Sequence, residues 1–171
     1  MRKIAAICLL TAMLAGCGGQ SPQRPSTRKG ESPKADSTTL ALMTMNRQMT
    51  ETADEELYRI ARTEGGYSLY ERGTWAKIIR PGDSNRPVMP GEECTVQMQV
   101  TSLNGHLYTD SETTAHAGKY ELPPAIDENI TEWYHGESLS LLVPWYAAYG
   151  IQGTAEIPPY ENVRIELTIK E

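Results

Sequence analysis

The sequence predicts an α+β protein, because two different hydrophobic periods occur in separate parts of the chain. Residues 163–170 alternate strictly between apolar and polar, which is typical of a strand with one face on a core. Residues 94–100 alternate in the same way. Between residues 42 and 60 the apolar residues instead recur every three or four positions, which predicts an amphipathic helix. The 171 residues suffice for one domain with a single core and additional segments.

The amphipathic pattern predicts an N-terminal helix over residues 37–64. Residues 36–38 offer Asp, Ser and Thr as caps, and Gly65-Gly66 ends the helix. One apolar stripe runs along it, formed by Leu42, Met45, Met49, Ala53, Leu57 and Ile60. The helix is interpreted either as an arm that packs on the following domain or pairs with a second subunit, or as a simple stalk.

A second, shorter helix is predicted within residues 122–135. Ile126, Ile130 and Trp133 are spaced i, i+4, i+7 and share one face, so Trp133 is expected in the core. Pro123 and Pro124 stand at the start, where proline is tolerated. Asp127 and Glu128 lie in the first turn and are interpreted as helix-dipole and surface charges, as Glu92 and Glu93 are interpreted as surface charges, rather than acid–base pairs.

The remaining patterns predict hairpins and a long loop. Residues 67–80 read as a hairpin around residues 71–73, and Asn104-Gly105 is a hairpin turn between the strand at 94–100 and a strand at 106–109. Residues 138–143 form a short apolar run that suits a buried strand. Residues 144–159 contain three Pro and two Gly and predict an irregular loop. Loops of this length tend to be functional, and its aromatic and aliphatic residues would line an apolar cleft.

The first residues have the composition of a signal peptide. A basic start and an apolar run over residues 4–14 precede Leu14-Ala15-Gly16-Cys17, which resembles the bacterial lipobox. The resemblance implies removal of residues 1–16 and lipidation of Cys17. The alternatives are a secretory signal with an incidental Cys and a membrane-spanning helix, for which the run is too short. Gly18 in place of Asp favours the outer membrane of a Gram-negative cell envelope over the inner membrane.

Residues 17–36 are predicted to be a disordered tether that follows the lipidated Cys. The stem at residues 18–35 carries a net charge of +3, whereas residues 36–171 hold 10 Lys and Arg against 21 Asp and Glu. A basic stem beneath an acidic head suits anchoring near an anionic membrane, and nothing here favours nucleic acid. With Cys8 removed and Cys17 lipidated, Cys94 remains alone and no internal disulfide is expected.

The C-terminal third is similar to a known family signature. GES…VPWYAAYG…IPPYENVRIELTI, within residues 136–169, resembles the C-terminal signature of the FKBP family of peptidyl-prolyl isomerases in order and spacing. The resemblance implies that residues 65–171 form an FKBP-like domain, a twisted antiparallel sheet wrapped on a short helix with a cleft between them. The N-terminal helix would then be an extension, as in some extracytoplasmic members, and could support a homodimer.

The resemblance also implies a set of cleft residues. Tyr149 matches the tyrosine whose hydroxyl binds a ligand carbonyl, and Ile157 and Pro158 match the overhanging loop. Ile165 takes a position where the family usually has Phe, and Ile126 takes that of the Trp at the cleft floor. The other substrate-binding candidates are Met98 near a first-strand Tyr, Tyr120 as an aromatic wall, and Trp145, which its place in the loop makes a rim contact.

Two positions depart from the family pattern. A Phe-Asp pair of the family falls on Tyr108-Thr109 or on Thr109-Asp110, depending on a one-residue gap, so Asp110 is a candidate catalytic carboxylate and Tyr108 a candidate binding residue. Pro123 stands where the family has a backbone N–H that donates to the ligand, and proline has none. Weak binding of macrolide inhibitors is therefore expected.

Two functions follow from these residues. The first is a membrane-anchored peptidyl-prolyl isomerase that assists the folding of proline-containing exported proteins, and the second is an FKBP-fold binding module that has lost catalysis. Rotation of an Xaa-Pro bond needs an apolar cleft and a few donors, and it needs no acid, base, metal or cofactor. His106, His116 and His135 come from separate elements and lack ligand spacing, so no metal site is predicted.

Overall fold

The computed structural model describes residues 36–170. The predicted signal peptide at residues 1–16, the lipidation site Cys17 and residues 18–35 of the tether lie outside the described residues. Within residues 36–170, no helix is both long and apolar enough to span a bilayer.

The chain begins with the predicted N-terminal helix, α1, which spans Ser37–Glu64. Gly65 and Gly66 follow it, both with positive φ, and the Gly65 N–H donates to the carbonyl of Ala61. A left-handed residue directly after the last turn is a frequent helix ending, and glycine adopts it without strain.

Six antiparallel strands form one sheet. They are β1 (Ser68–Leu69), β2 (Trp75–Arg80), β3 (Glu93–Ser102), β4 (Leu107–His116), β5 (Ser138–Val143) and β6 (Val163–Ile169). Their order across the sheet is β1-β2-β5-β6-β3-β4, so the C-terminal strand β6 lies in the middle. The predicted α+β class with an antiparallel sheet is confirmed.

Strand β4 is longer than the predicted strand at residues 106–109. It continues through Thr109–His116 in register with β3, from Val100↔Thr109 to Glu93↔His116. Its sequence alternates Thr and Ser with Asp, Glu and His, so it carries no apolar period that could reveal a strand. Pairing with β3, which is also ten residues long, accounts for its length.

Alternation along the central strands gives the sheet two unlike faces. Val96, Met98 and Val100 of β3 lie beside Ile165 and Leu167 of β6, all buried in the main core. The opposite face of these strands carries Gln, Thr, Arg and Glu. The period-two pattern therefore assigned each residue of β3 and β6 to its observed face.

The predicted second helix is divided into two pieces. A single turn of helix, α2 (Pro124–Asp127), is followed by a 3-10 turn at Ile130–Glu132. The buried Asn129 lies between them, and its Nδ2 donates to the carbonyl of Ala125 at 2.8 Å. Ile126, Ile130 and Trp133 are fully buried in the main core, as predicted.

The second half of α1 packs on the polar face of the sheet. Leu57 and Ala61 form a small apolar cluster with Leu142 of β5, bordered by Trp75 and Leu103. At the end of α1 the guanidinium of Arg164 pairs with the carboxylate of Glu64. The first half differs, because its large apolar side chains Leu40, Leu42, Met43 and Met45 are more than half exposed. Only the second half is thus packed on the domain.

We predict that Leu57→Ala lowers the free energy of unfolding by about 2–5 kcal/mol, because it leaves a cavity between α1 and the sheet. Leu57 is 0% exposed, whereas Leu40 in the same helix is 54% exposed. Leu40→Ala is therefore the matched control and should change stability by less than about 0.5 kcal/mol. Urea denaturation of both variants measures the difference, and equal losses would contradict the observed packing of α1.

Candidate functional site

Most of the predicted cleft residues come together on one side of the sheet. Met98 of β3, Ile165 of β6, Ile126 of α2 and Ile157 of the long loop belong to a single buried apolar cluster, and Tyr108 and Tyr149 pack on it half-buried. These six residues come from five different elements of the chain. We call them the apolar site.

Tyr149 presents the polar group of the apolar site. The loop that carries it is folded on itself: the N–H groups of Ala147 and Ala148 donate to the carbonyl of Pro144, and Gly153 donates to that of Tyr149. Burial raises the pKa of the Tyr149 phenol above its ordinary value, so the group stays neutral at physiological pH. Among residues 36–170 no hydrogen bond uses its hydroxyl, which leaves the O–H able to donate to a bound carbonyl.

A tight turn holds Ile157 in the apolar site. The Thr154 hydroxyl oxygen accepts from the N–H groups of Glu156 and Ile157, and the Thr154 N–H donates to the carbonyl of Ile157. Gly153 has a positive φ, and a Cβ at this position would collide with the carbonyl oxygen of Ile157. The turn buries Ile157 and leaves Pro158 exposed beside it.

The long loop is joined directly to the short helix. The N–H of Ala125 donates to the carbonyl of Ala147 at 2.9 Å. The Asn129 side chain also accepts from the N–H of Glu71, which ties α2 to the turn before β2. Pro123, at the start of α2, offers only its carbonyl, which accepts from Ile126 and Asp127. Asn129 was missed in the sequence because a polar residue in a helical pattern gives no sign of burial.

Asp110 is not part of the apolar site, which corrects its prediction as a catalytic residue there. It lies opposite Gln99, whereas Thr109 lies opposite Val100 on the core face. The Asp110 carboxylate accepts from Gln97 Nε2 at 2.5 Å and from Gln99 Nε2 at 3.4 Å. The register shifts between Val100 and Thr101, so Tyr108 has no residue directly opposite it and packs on the core beside Thr109. These positions favour the alternative in which the pair falls on Tyr108-Thr109.

Two predicted aromatic contacts also lie elsewhere. Trp145 packs edge-on against Tyr146 and Tyr160, with ring centroids 5.5 and 5.0 Å apart. It lines a groove of about 310 Å³ shared with Met45 and Met49 of α1, so it faces the N-terminal helix. Tyr120 is 76% exposed and has a positive φ, and it forms no wall of the apolar site.

Of the four carboxylates interpreted from the sequence as surface charges, Asp127 is buried. Asp127 is 2% exposed, and its carboxylate oxygens have no hydrogen-bond partner in the described part of the chain. Glu128 pairs with Arg72. The carboxylate of Glu92 accepts a hydrogen bond from the N–H of Met89 and contacts the buried His135. Glu93 is exposed, as predicted. The prediction of a solvated Asp127 is therefore wrong.

Polar contacts between α1 and the loop were not predicted. The Tyr146 hydroxyl donates to Asp54 Oδ1 at 2.5 Å. The amide of Asn162 joins both elements, since its Nδ2 donates to Glu56 at 2.9 Å and its Oδ1 accepts from the N–H of Trp145. The partners are about a hundred residues apart, so local spacing carries no signal of them. They attach the outer side of the loop to the helix while its inner side carries Tyr149 and Ile157.

The three histidines lie in separate parts of the fold. His106 packs edge-on against Tyr108, His116 contacts Glu121, and His135 is buried between Glu92 and the carbonyl of Lys170. Over residues 36–170 there is no group of three or more His, Cys, Asp or Glu side chains arranged to hold a metal ion. Cys94 is buried, and burial raises the pKa of its thiol, which disfavours the reactive thiolate.

A comparison with solved structures identifies a protein of similar architecture. The chain is similar to the crystal structure of FkpA from Escherichia coli, with a TM-score of 0.60 and 17% sequence identity over 79% of this chain and 64% of that one. The fold is FKBP-like. No family model matches the sequence, and no curated protein matches it either. At this identity the similarity concerns the fold, and the chain spans less than two thirds of its neighbour.

We predict that Tyr146 contributes to stability in a pH-dependent way. Burial, followed by the hydrogen bond to Asp54, raises the pKa of its phenol in the folded protein. A raised folded pKa gives stability that is complete below the unfolded tyrosine pKa of about 10 and is lost as pH rises through the folded value. The free energy of unfolding should therefore fall less steeply above pH ~10 in Tyr146→Phe than in the wild type.

Urea denaturation between pH ~9 and ~11 measures the two slopes. Asp54→Asn keeps the phenol and removes the acceptor charge, so its slope should lie between those of the wild type and Tyr146→Phe. Identical slopes in all three proteins would show that the Tyr146–Asp54 contact does not persist in solution.

Proposed function

We propose that the protein is an FKBP-type peptidyl-prolyl cis-trans isomerase acting on proline-containing polypeptides. The observation that carries the proposal is the hydroxyl of Tyr149, a neutral donor on a half-buried side chain that packs on the surface of the apolar cluster containing the buried Ile126, Ile157 and Ile165. The FKBP-like fold and the similarity of the C-terminal third to the family signature support the same reading.

The chemistry of the Xaa-Pro bond suits such a surface. Rotation breaks the amide resonance and meets a barrier of about 18–20 kcal/mol, although the two isomers differ little in energy. In the twisted amide the carbonyl is less polar, so an apolar environment favours it over the planar ground state. A single donor such as the Tyr149 O–H would hold a neighbouring carbonyl and orient the chain across Ile126 and Ile157.

The departures from the family pattern favour a modest activity. Ile126 replaces a larger aromatic residue but keeps the floor apolar and fully buried. Pro123 has no N–H to offer to the substrate. Asp110 lies on the opposite face of the sheet from Met98. The last two observations favour the second candidate function, an FKBP-fold module that binds polypeptides through the same residues without catalysis.

We predict that residues 36–171 accelerate cis-to-trans relaxation in a panel of Xaa-Pro peptides and that Tyr149→Phe lowers kcat/KM roughly tenfold, the loss of one hydrogen bond. Tyr160→Phe is the matched control, because Tyr160 lies in the same segment but packs on Trp145 outside the apolar site. Uncatalysed relaxation takes about 10–100 s, so catalysis is easily resolved. Folded protein that accelerates no peptide would exclude the isomerase and leave the binding module.

We also propose that Cys17 carries lipid and anchors the protein in a Gram-negative cell envelope, at the outer membrane. A second copy would cover the exposed first half of α1, where Leu42 and Met45 are both 57% exposed. Native mass spectrometry of protein extracted in detergent from the producing cells measures both properties. We expect a dimer that begins at a lipid-modified Cys17 and a Cys17→Ser variant without added lipid mass. An unmodified N-terminus would refute the anchor, and a monomer at all concentrations would refute the pairing.

A further inference from the structure

The outer edge of β4 has unused pairing capacity. β4 is the last strand of the sheet and pairs with β3 alone. It has ten residues, whereas the strand at the other edge, β1, has two. The strand next to β1 is also irregular, since β2 has a register shift between Ile78 and Arg80. The β4 edge therefore offers another chain a longer strand to pair with than the β1 edge does.

The register shows which backbone groups of β4 face outward. Thr109, Ser111, Thr113 and Ala115 lie opposite the residues of β3 whose backbone groups point to β4, so their own groups are used within the sheet. The backbone groups of the residues between and after them, at positions 110, 112, 114 and 116, point away from β3. His116 shows this directly: its N–H donates to Glu121 Oε2 at 2.8 Å and its carbonyl accepts from the N–H of Lys119, both outside the sheet.

Three other residues of β4, at two-residue intervals before His116, also have backbone N–H and carbonyl groups that point away from β3. In the part of the chain that the structure describes, these groups have no partner of the kind that Glu121 and Lys119 provide for His116. The N–H and carbonyl groups of Asp110, Glu112 and Thr114 form no hydrogen bond with another residue among positions 36–170. Natural edge strands are usually protected by Pro, charged side chains (above all Lys), a bulge or extreme shortness. The charges of this edge are acidic, so they repel an acidic chain and leave the strand open to a basic one. From Thr109 to Ala115 the strand contains no Pro and no Lys, and its register with β3 is regular.

The charge along this edge indicates which chain would pair with it. Asp110 and Glu112 follow each other on one face, and Asp110 accepts its hydrogen bonds from the neutral amides of Gln97 and Gln99. Glu112 Oε2 lies 3.4 Å from Lys170 Nζ, and both side chains of this contact are exposed to solvent, so a Lys of an added strand can compete for it. The residues from 36 onward carry 21 acidic against 10 basic side chains. Opposite charges directly across a pair of strands are favourable and like charges are not. The complement of this edge is an extended chain with Lys or Arg at alternate positions.

We propose that the outer edge of β4 binds an extended segment of an unfolded polypeptide as a seventh strand, with basic side chains opposite Asp110 and Glu112. Pairing through backbone groups is largely independent of sequence and suits a protein with varied clients. The other side chains of the added strand lie on the same face as Thr109, Ser111 and Thr113, beside Met98 of the apolar site. Such binding does not require that the apolar site is catalytic.

The probe is a proline-free peptide, acetyl-Thr-Val-Lys-Val-Lys-Val-Thr-amide, titrated into the full chain. It contains no Xaa-Pro bond, so isomerase activity does not contribute to its binding. In the proposed pairing the Lys residues lie opposite Asp110 and Glu112, and their N–H groups face β4. N-methylation of both Lys residues should abolish binding, whereas N-methylation of the two flanking Val residues should leave it within roughly threefold. Equal affinities of the two methylated peptides would overturn strand addition.

Substitutions in β4 test whether the peptide binds at this edge. Glu112→Pro removes one outward N–H that the sheet does not use, a place where edge strands tolerate proline. It should weaken the peptide roughly tenfold while leaving the acceleration of short Xaa-Pro peptides unchanged. If this variant does not fold, Glu112→Lys serves in its place and should weaken the peptide by charge repulsion. Unchanged affinity in the folded variant would overturn the proposal.

Amide hydrogen exchange and sedimentation complete the test. Bound peptide should protect the amides of Asp110, Glu112 and Thr114, and protection centred on Tyr149 instead would overturn the assignment to β4. A dimer that Glu112→Pro dissociates would make a second copy the occupant and overturn the polypeptide client. If the wild-type protein accelerates Xaa-Pro peptides but does not bind the proline-free peptide, only the proposed β4 edge site is refuted. If it binds the proline-free peptide but accelerates no Xaa-Pro peptide, only the proposed isomerase is refuted.

Discussion

The pairing of Val143 with Val163 is the contact that fixes both ends of the loop carrying Tyr149 and Ile157. It ends β5 and begins β6, and it closes the loop of residues 144–162 between two central strands. Both valines are fully buried, so the ends of the loop are held by the core rather than by solvent-exposed contacts. The backbone N–H and carbonyl groups of such a loop need hydrogen-bond partners. Here the carbonyl of Pro144 accepts hydrogen bonds from N–H groups within the loop.

The two sides of that loop have different attachments. On the inner side, Ala147 bonds to Ala125, and Ile157 enters the core beside Ile126. On the outer side, Tyr146 and Asn162 bond to Asp54 and to Glu56 of α1. The N-terminal helix is therefore more than a spacer, because its second half holds the outer surface of the segment that presents Tyr149. Its first half remains apolar and uncovered by residues 36–170.

The elements with strict periodicity were predicted from the sequence with accurate bounds. β6 at Val163–Ile169 and β5 at Ser138–Val143 agree with the predicted strands, because burial of one face or of both leaves a clear pattern. β4 beyond Thr109 was missed, since a strand of Thr, Ser and acidic residues at an edge needs no apolar face. Asp110 was assigned to the wrong face of the sheet because the sequence left its position uncertain by one residue. A shift of one position moves a side chain to the other face of the sheet. The positions of Trp145 and Asp127 depend on packing between distant segments, which spacing along the chain does not encode.

The absence of Asp110 from the apolar site bears on which chemistry the fold can support. Hydrolysis or group transfer requires positioned acids, bases or nucleophiles, and loss of a carboxylate ordinarily removes such an activity. Amide rotation instead requires apolar surroundings that stabilise a less polar state, so the proposed isomerase does not depend on a carboxylate near the apolar cluster of Ile126, Ile157 and Ile165. Replacing one apolar group by another changes shape and affinity before it removes this effect. The departures from the FKBP pattern that the sequence resembles therefore leave the apolar core of the site and the Tyr149 hydroxyl in place, and these are the two features on which the proposed isomerase depends.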